Sequence, residues 1–362
     1  MDKSIQVMLM YILTHVGLIF FVYPADIVCS MEIGHWLAVT VGFAIHIIFV
    51  IVYMKGLSYF NRQDLIDIYL TAGKAAAIAL LTPVLFYLLA VNIITVRAYS
   101  EIVSLNFLSD TPLWVIMLLL VAVSTFMAVL GIESLFRTAL LMAFLFLPLV
   151  AFVLLTVFQN ADWHYLLPLA DRKALSFSFV ANRSFLQGLF AFAGGFLFLG
   201  FVTPYVKYRS RNIVWASLLL LPLFIISVYA PVLTFGQHTA SLLQFPFITT
   251  IDTLHIDWLM FERVTMFFLL SMVTFVMLFM SLVLWKTKRI LHRCIPSVKP
   301  IYITLALAIV IFAVCLQIPD WKLVEQLFWW NTILRLYVIT VIPIMTLVLG
   351  IRHKRKDFNG HG

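Results

Sequence analysis

Residues 191–195 read Ala191-Phe192-Ala193-Gly194-Gly195, inside an apolar run that closes with Thr203-Pro204-Tyr205. Adjacent glycines weaken a helix, because glycine loses the most backbone freedom on ordering. Lipid accepts such a break only where the freed backbone is buried in protein or lines a cavity. A second interruption stands near the start of the chain, in Thr14-His15-Val16-Gly17-Leu18-Ile19-Phe20-Phe21-Val22-Tyr23-Pro24. The two interruptions lie five apolar runs apart. That spacing predicts two inverted five-helix halves, with discontinuous first and sixth helices facing each other at mid-membrane. An unwound half-helix exposes N–H groups at a positive dipole end, which suits a carboxylate. Glycine also serves close helix packing, a reading open for Gly17 and less so for the Gly194-Gly195 pair.

The composition supports a lipid setting. Of 362 residues, 64% are hydrophobic and 11% charged, with a mean hydropathy of +1.07. A soluble globular protein carries about a quarter charged residues, so that class is excluded, as are coiled coils, disordered chains and nucleic-acid-binding domains. The net charge of +8 is the balance that Lys and Arg in cytoplasmic loops leave behind. Three cysteines (Cys29, Cys294, Cys315) cannot form a closed disulfide set.

A membrane helix needs ~20 apolar residues. Ten such runs are legible, at 5–23, 35–54, 78–100, 113–130, 136–158, 184–206, 213–235, 264–285, 301–318 and 332–350. They predict an all-α polytopic membrane protein of ten transmembrane helices. It forms a single domain over 1–362, with a first repeat over about 5–158, a second over about 184–350 and a basic tail at 351–362. The gap 236–263 holds Phe245-Pro246-Phe247 and Trp258-Leu259-Met260-Phe261, too short and broken for another span; it reads as an interfacial or re-entrant piece. No small-residue cleavage site follows the first run, which is expected to be retained. With the N-terminus inside, 17 of 24 Lys and Arg fall on the cytoplasmic side. Both termini are therefore expected in the cytoplasm, as an even number of spans requires.

Polar residues inside the spans are the candidate site. Asn92, Thr95 and Tyr99 lie at i, i+3 and i+7, one stripe that faces either neighbouring helices or a cavity. Arg97 and Glu101 share a face and can pair, and Arg97 can snorkel to the interface. Ser271 and Thr274 make a smaller polar spot on the eighth span, where hydrogen bonding across helices competes with ligand contact. The residues expected to line a cavity are Thr14, Gly17, Asn92, Thr95, Tyr99, Gly194, Gly195, Ser271 and Thr274. Gly194 and Gly195 would offer backbone groups to a ligand carboxylate, and Thr95 and Tyr99 a polar wall. His15 and His46 read as packing histidines and carry no assignment. No Cys/His cluster has metal spacing, no nucleophile has a visible base, and no Gly-rich phosphate loop occurs. An enzyme, a metal and a cofactor are not expected.

The middle of the chain carries a further pattern. Leu108-Ser109-Asp110-Thr111-Pro112-Leu113-Trp114 opens the fourth run and Gly131-Ile132-Glu133-Ser134-Leu135-Phe136-Arg137 the fifth. The loop Asn160-Ala161-Asp162-Trp163-His164-Tyr165-Leu166-Leu167-Pro168-Leu169 follows. With Pro204-Tyr205 and Glu262-Arg263, these segments resemble the spore germination permease family, the B subunits of nutrient-germinant receptors, along essentially the whole chain. The resemblance implies the amino acid–polyamine–organocation superfamily, a LeuT-type 5+5 inverted repeat and the spore inner membrane. It also implies sensing of a small nutrient, commonly an amino acid, together with an A subunit and a lipoprotein C subunit. Glu133 and Arg137, at i and i+4 in the favourable order, and Pro112, which starts a helix after an Asp110 cap, read as structural, as does Pro168. Two positions depart from the family pattern. Ile19 stands where relatives often have a second small residue, and Leu197 where they often have an acidic one. An amino acid transporter coupled to H⁺ or Na⁺, and a receptor scaffold without a ligand, stay open beside the sensing subunit.

Overall fold

The computed structural model describes residues 3–193, 195–254 and 264–359. Gly194, Trp258-Leu259-Met260-Phe261, Glu262-Arg263 and the last three residues of the tail lie outside the described residues. Helices α1 (Lys3–Ile19), α2 (Tyr23–Ser30), α3 (His35–Leu57), α4 (Leu65–Leu70), α5 (Lys74–Asn106), α6 (Leu113–Leu130) and α7 (Ile132–Thr156) make the first half. After a loop with α8 (Arg172–Leu175), the sixth predicted run is split into α9 (Arg183–Gly188), α10 (Phe190–Ala193) and α11 (Phe198–Val202). Then come α12 (Ser210–Phe235), α13 (Gln237–Leu242), α14 (Pro246–Asp252), α15 (Val264–Cys294), α16 (Pro300–Leu316) and α17 (Trp321–Asn359). No strand occurs among the described residues.

Every predicted apolar run falls on helix, but the span count differs from ten. Eight helical stretches are long and apolar enough to cross a membrane, and α1 with α2 makes nine if that pair is one span. The ninth run, α16, has only 17 residues, about 26 Å of helix against ~30 Å of hydrocarbon. The first span is broken as its sequence predicts. α1 and α2 meet at 59°, and Pro24 in the first turn of α2 has no N–H to lose there.

Helix α15 runs through the middle of the bundle, packed on α1, α5, α6, α7 and α16. Around it the outer helices turn apolar side chains outward, Phe144, Leu155 and Ile333 among them, as a lipid-facing belt requires. Small residues let backbones touch. A Cβ at Gly17 would stand 3.1 Å from the Phe275 and Val276 backbone of α15, and one at Gly56 would stand 2.7 Å from Leu347 N of α17.

Several local expectations are corrected. Glu133 pairs with Lys3 at 3.6 Å, both exposed, and not with Arg137. Helix α6 starts at Pro112 in the cap position, with no side-chain cap from Asp110, which is exposed. Arg97 does pair with Glu101 at 2.5 Å, but it does not snorkel. It is buried, and its guanidinium donates to the carbonyls of Ile318 (3.1 Å) and Pro319 (3.3 Å) just past α16. A cation is favoured at that negative helix end. Pro168 follows a cis peptide, in a loop tied to the bundle by Trp36 Nε1 donating to the Leu169 carbonyl at 2.8 Å. The Phe245-Pro246-Phe247 patch folds inward over the first break. Phe247 meets Phe20 at 4.6 Å between ring centroids, and Phe245 meets Phe21 at 5.9 Å.

The α3–α17 contact yields a prediction. Gly56→Ala places a methyl against α17 backbone that no rotamer change can move, so it should destabilise the protein by about 1–3 kcal/mol. Thermal unfolding of the detergent-solubilised protein checks this.

Candidate functional site

At the first break the intrahelical ladder stops and backbone groups are left over. The Tyr99 hydroxyl of α5 donates to the Gly17 carbonyl, and the Tyr99 ring lies 4.4 Å from that of Phe21. Next to this contact is a small chamber lined by Leu18, Tyr87, Thr95, Phe190, Asn331 and Arg335, among others. Its open volume of about 20 Å³ has room for about one water.

Arg335, on α17, is 1% exposed and heads the largest fully buried side chains. It donates to the carbonyls of Gln187 (2.7 Å), Leu186 (3.3 Å) and Phe328 (3.4 Å). The Phe328 ring lies 4.6 Å from the guanidinium, a cation–π contact. Its Nε has no partner, and no carboxylate pairs with it among the described residues. Asn331 Oδ1, one turn before it, is also buried without a partner. Donor and acceptor thus stand unsatisfied in one chamber, where a buried group without a partner costs about 1–3 kcal/mol.

Beyond the chamber opens a vestibule of about 550 Å³. It is bounded by the break (Phe21, Val22), by Asp26 of α2, by Arg183 and Gln187 of α9, and by Glu325 and Phe328 of α17. Phe328 and Ile94 line both spaces. Phe328 and Phe190 meet edge to face at 4.8 Å, closing the chamber toward the vestibule. The opposite, Lys- and Arg-rich end is sealed. There Arg289 pairs with Asp64 and with the Tyr205 hydroxyl, and Arg293 pairs with Asp67 at 2.9 Å. Burial first, and then the neighbouring Asp64, push the Asp67 carboxyl above the usual range.

A central chamber at two helix breaks, an open vestibule on one side and an ionic seal on the other describe a transporter-like architecture. The sequence matches the spore permease family model, described as spore germination protein, over residues 3–320. The chain belongs to the spore germination protein family. Among 37 solved chains that match is the crystal structure of MhsT in complex with L-phenylalanine. It is 11% identical, with a TM-score of 0.66, and the match covers 94% of this chain and 97% of that one. At that identity the likeness speaks to the fold, which is of LeuT type. No curated protein matches.

This spore germination protein distributes its sequence-predicted residues unevenly. Gly17, Thr95 and Tyr99 meet at the first break and the chamber. Asn92 is buried with both amide atoms unpartnered, on the same stripe. Thr14 is buried, and its hydroxyl donates back to Met10 and Tyr11 carbonyls. Ser271 and Thr274 do the same toward Phe267 and Leu270, so neither hydroxyl reaches out of α15. Gly195 is covered by the His15 ring: a Cβ there would stand 2.1–2.6 Å from its atoms. Leu197 accepts from the Tyr53 hydroxyl through its carbonyl at 3.2 Å.

Arg335, Asn331 and Asp26 escaped the sequence reading, although an arginine inside an apolar run is itself a signal. The roof over the chamber can be tested with Thr95→Cys in a Cys29→Ser background. A charged thiol reagent should modify Cys at this position slowly. Adding Phe328→Ala should speed modification roughly fivefold, the factor that about 1 kcal/mol of lost ring contact gives.

Proposed function

We propose that this protein is the permease-like B subunit of a nutrient-germinant receptor, seated in the spore inner membrane with both termini in the cytoplasm. It binds a small nutrient, an amino acid, at the chamber beside the first break, which widens beyond its one-water volume to admit it, and it triggers germination with an A subunit and a lipoprotein C subunit. Its work is binding and not catalysis. The observation that carries this reading is Arg335, a fully buried cation that among the described residues has no carboxylate in contact and only Asp26 acting on it from further off, next to an unpartnered Asn331 carbonyl oxygen. A guanidinium N–H suits a carboxylate, and an amide oxygen suits an ammonium group. The vestibule leading there carries both signs, with Asp26 and Glu325 against Arg183, as a zwitterion's entry would. Family membership and the phenylalanine held by the structurally similar MhsT support the same reading. Occupancy would favour one of two states of the bundle, and the partner subunits would report it.

An amino acid transporter coupled to H⁺ or Na⁺ is the second reading. The ionic seal of Asp64, Arg289 and Tyr205 favours it, because alternating access needs a gate opposite the open vestibule.

Deleting the gene in its host and following loss of spore refractility on single amino acids and sugars separates the two. Loss of one amino-acid response with normal vegetative uptake supports the receptor. Untouched germination with reduced uptake in growing cells supports the transporter. Arg335→Gln should weaken the amino-acid response roughly 10- to 100-fold, the worth of a charged hydrogen bond; an unchanged dose curve at normal protein level removes Arg335 from the site. Sidedness has its own check in the native cysteines. Cys29 is exposed in the vestibule and Cys294 is exposed at the far end of α15. An impermeant maleimide applied outside intact cells should label Cys29 and spare Cys294.

A further inference from the structure

Four polar side chains meet beside the sixth-span break, away from any role given above. Helix α1 supplies Tyr11 and His15, α3 supplies His46, and α12 supplies Ser217. None is more than 1% exposed. His15 Nδ1 lies 2.7 Å from the Tyr11 carbonyl, which can only accept, so this nitrogen carries the hydrogen. His15 Nε2 is then a bare lone pair, and nothing among the described residues meets it in hydrogen-bond reach.

The second imidazole joins a hydroxyl chain. Its Nε2 lies 2.6 Å from the Tyr11 hydroxyl, which lies 2.7 Å from Ser217 Oγ, and Ser217 Oγ lies 3.0 Å from the Ile213 carbonyl. With the serine hydrogen on Ile213, His46 carries its hydrogen on Nε2; with the serine hydrogen on Tyr11, it carries it on Nδ1, toward the Phe192 backbone. His15 has no such alternative. The two ring centroids are 5.2 Å apart.

A packing role does not account for the bare His15 nitrogen, since an apolar side chain of similar size would fill the space without the cost of an unsatisfied acceptor. The surroundings favour a very small ligand. Phe43, Phe192 and Phe196 enclose His46 with ring centroids 5.4–6.3 Å away. The other titratable groups against this shell are Tyr23, on Phe192, and Tyr53, whose hydroxyl is held by the Leu197 carbonyl. No Asp, Glu, Lys or Arg pairs with either histidine among the described residues.

We propose that Tyr11, His15, His46 and Ser217 form a proton-binding site that takes up one proton and thereby biases the sixth-span break. The step is addition of H⁺ to a free imidazole lone pair; one N–H bond forms and none breaks. A second proton is opposed by an imidazolium about 5 Å away in a low-dielectric setting. The link to the break is direct contact. The His15 ring rests on Gly195, and the Phe192 backbone at the end of α10 is the acceptor that a proton on His46 would bond. This proposal does not depend on the nutrient reading, and it serves a receptor and a transporter alike.

The test uses full-length protein in lipid nanodiscs, with ¹⁵N-labelled histidines observed by NMR and assigned with His15→Gln and His46→Gln. Near neutral pH, His15 should show the Nδ1–H form. Acidification from about pH 8 to about pH 4 should convert one of the two, and not both, to the doubly protonated ring. The Gly195 amide signal should move with the same midpoint. Tyr11→Phe keeps both rings and the Tyr11 carbonyl but removes the bridging hydroxyl, so it should shift the His46 signals and leave the His15 tautomer as it was. Two rings that stay neutral throughout, two that ionise together, or a Gly195 signal indifferent to the transition would each overturn the proposal.

Discussion

Backbone satisfaction in lipid is the constraint on which the other features of this protein depend. Where a helix is interrupted away from water, each freed N–H and C=O needs a partner from the protein. The first break meets this demand with Tyr99, whose hydroxyl takes the Gly17 carbonyl. That bond sets the depth of α5 against α1 and places Thr95 one turn away on the chamber wall. Phe20 and Phe21 are turned outward into the α13–α14 segment, where Phe245 and Phe247 cover them. One unwound turn thus decides the position of a helix, a chamber and a lid segment.

The buried arginines obey the same rule from the opposite direction. Arg97 and Arg335 are cations used to occupy carbonyls at the ends of interrupted or terminating helices, and Arg335 adds the Phe328 carbonyl of its own helix. They differ in what remains. Arg97 has Glu101 to neutralise it, so its charge is spent inside the fold. Arg335 is in contact only with carbonyls and two aromatic faces among the described residues, which stabilise a guanidinium without cancelling its charge. Asp26 acts on it from further off, without a contact ion pair, and its Nε stays free.

Much of this was readable from the chain, because lipid makes sequence unusually explicit. Apolar run length located every long helix, and Gly17 with Pro24 located the first break. The stripe of Asn92, Thr95 and Tyr99 follows from helical spacing and is buried as expected. What escaped depends on rotamers and on partners distant in sequence. Hydroxyls such as Ser271 and Thr274 bond back to their own helix as readily as across, and period alone cannot separate the two outcomes. Glu133 has Arg137 in reach on its own helix and Lys3 in reach across the fold, and the tertiary contact prevails. Tyr11 and His46 are 35 residues apart and Ser217 lies 206 residues from Tyr11, so no local pattern announces their meeting.

The glycines of the sixth span give the sharpest contrast between what a sequence permits and what a fold uses. A glycine break invites a ligand carboxylate onto bare N–H groups, and Gly195 would be such a place if its surface were open. Instead the His15 imidazole lies against it, closer than any Cβ could approach. Glycine is needed there to admit a ring. Once that ring covers the break, backbone recognition of an anion at Gly195 is blocked, and another group has to supply the positive charge. Arg335 stands beside the other break, four residues past Asn331 on the same helix. A histidine-lined break and a positive charge carried by a side chain, Arg335, are therefore two consequences of one substitution of contacts at Gly195.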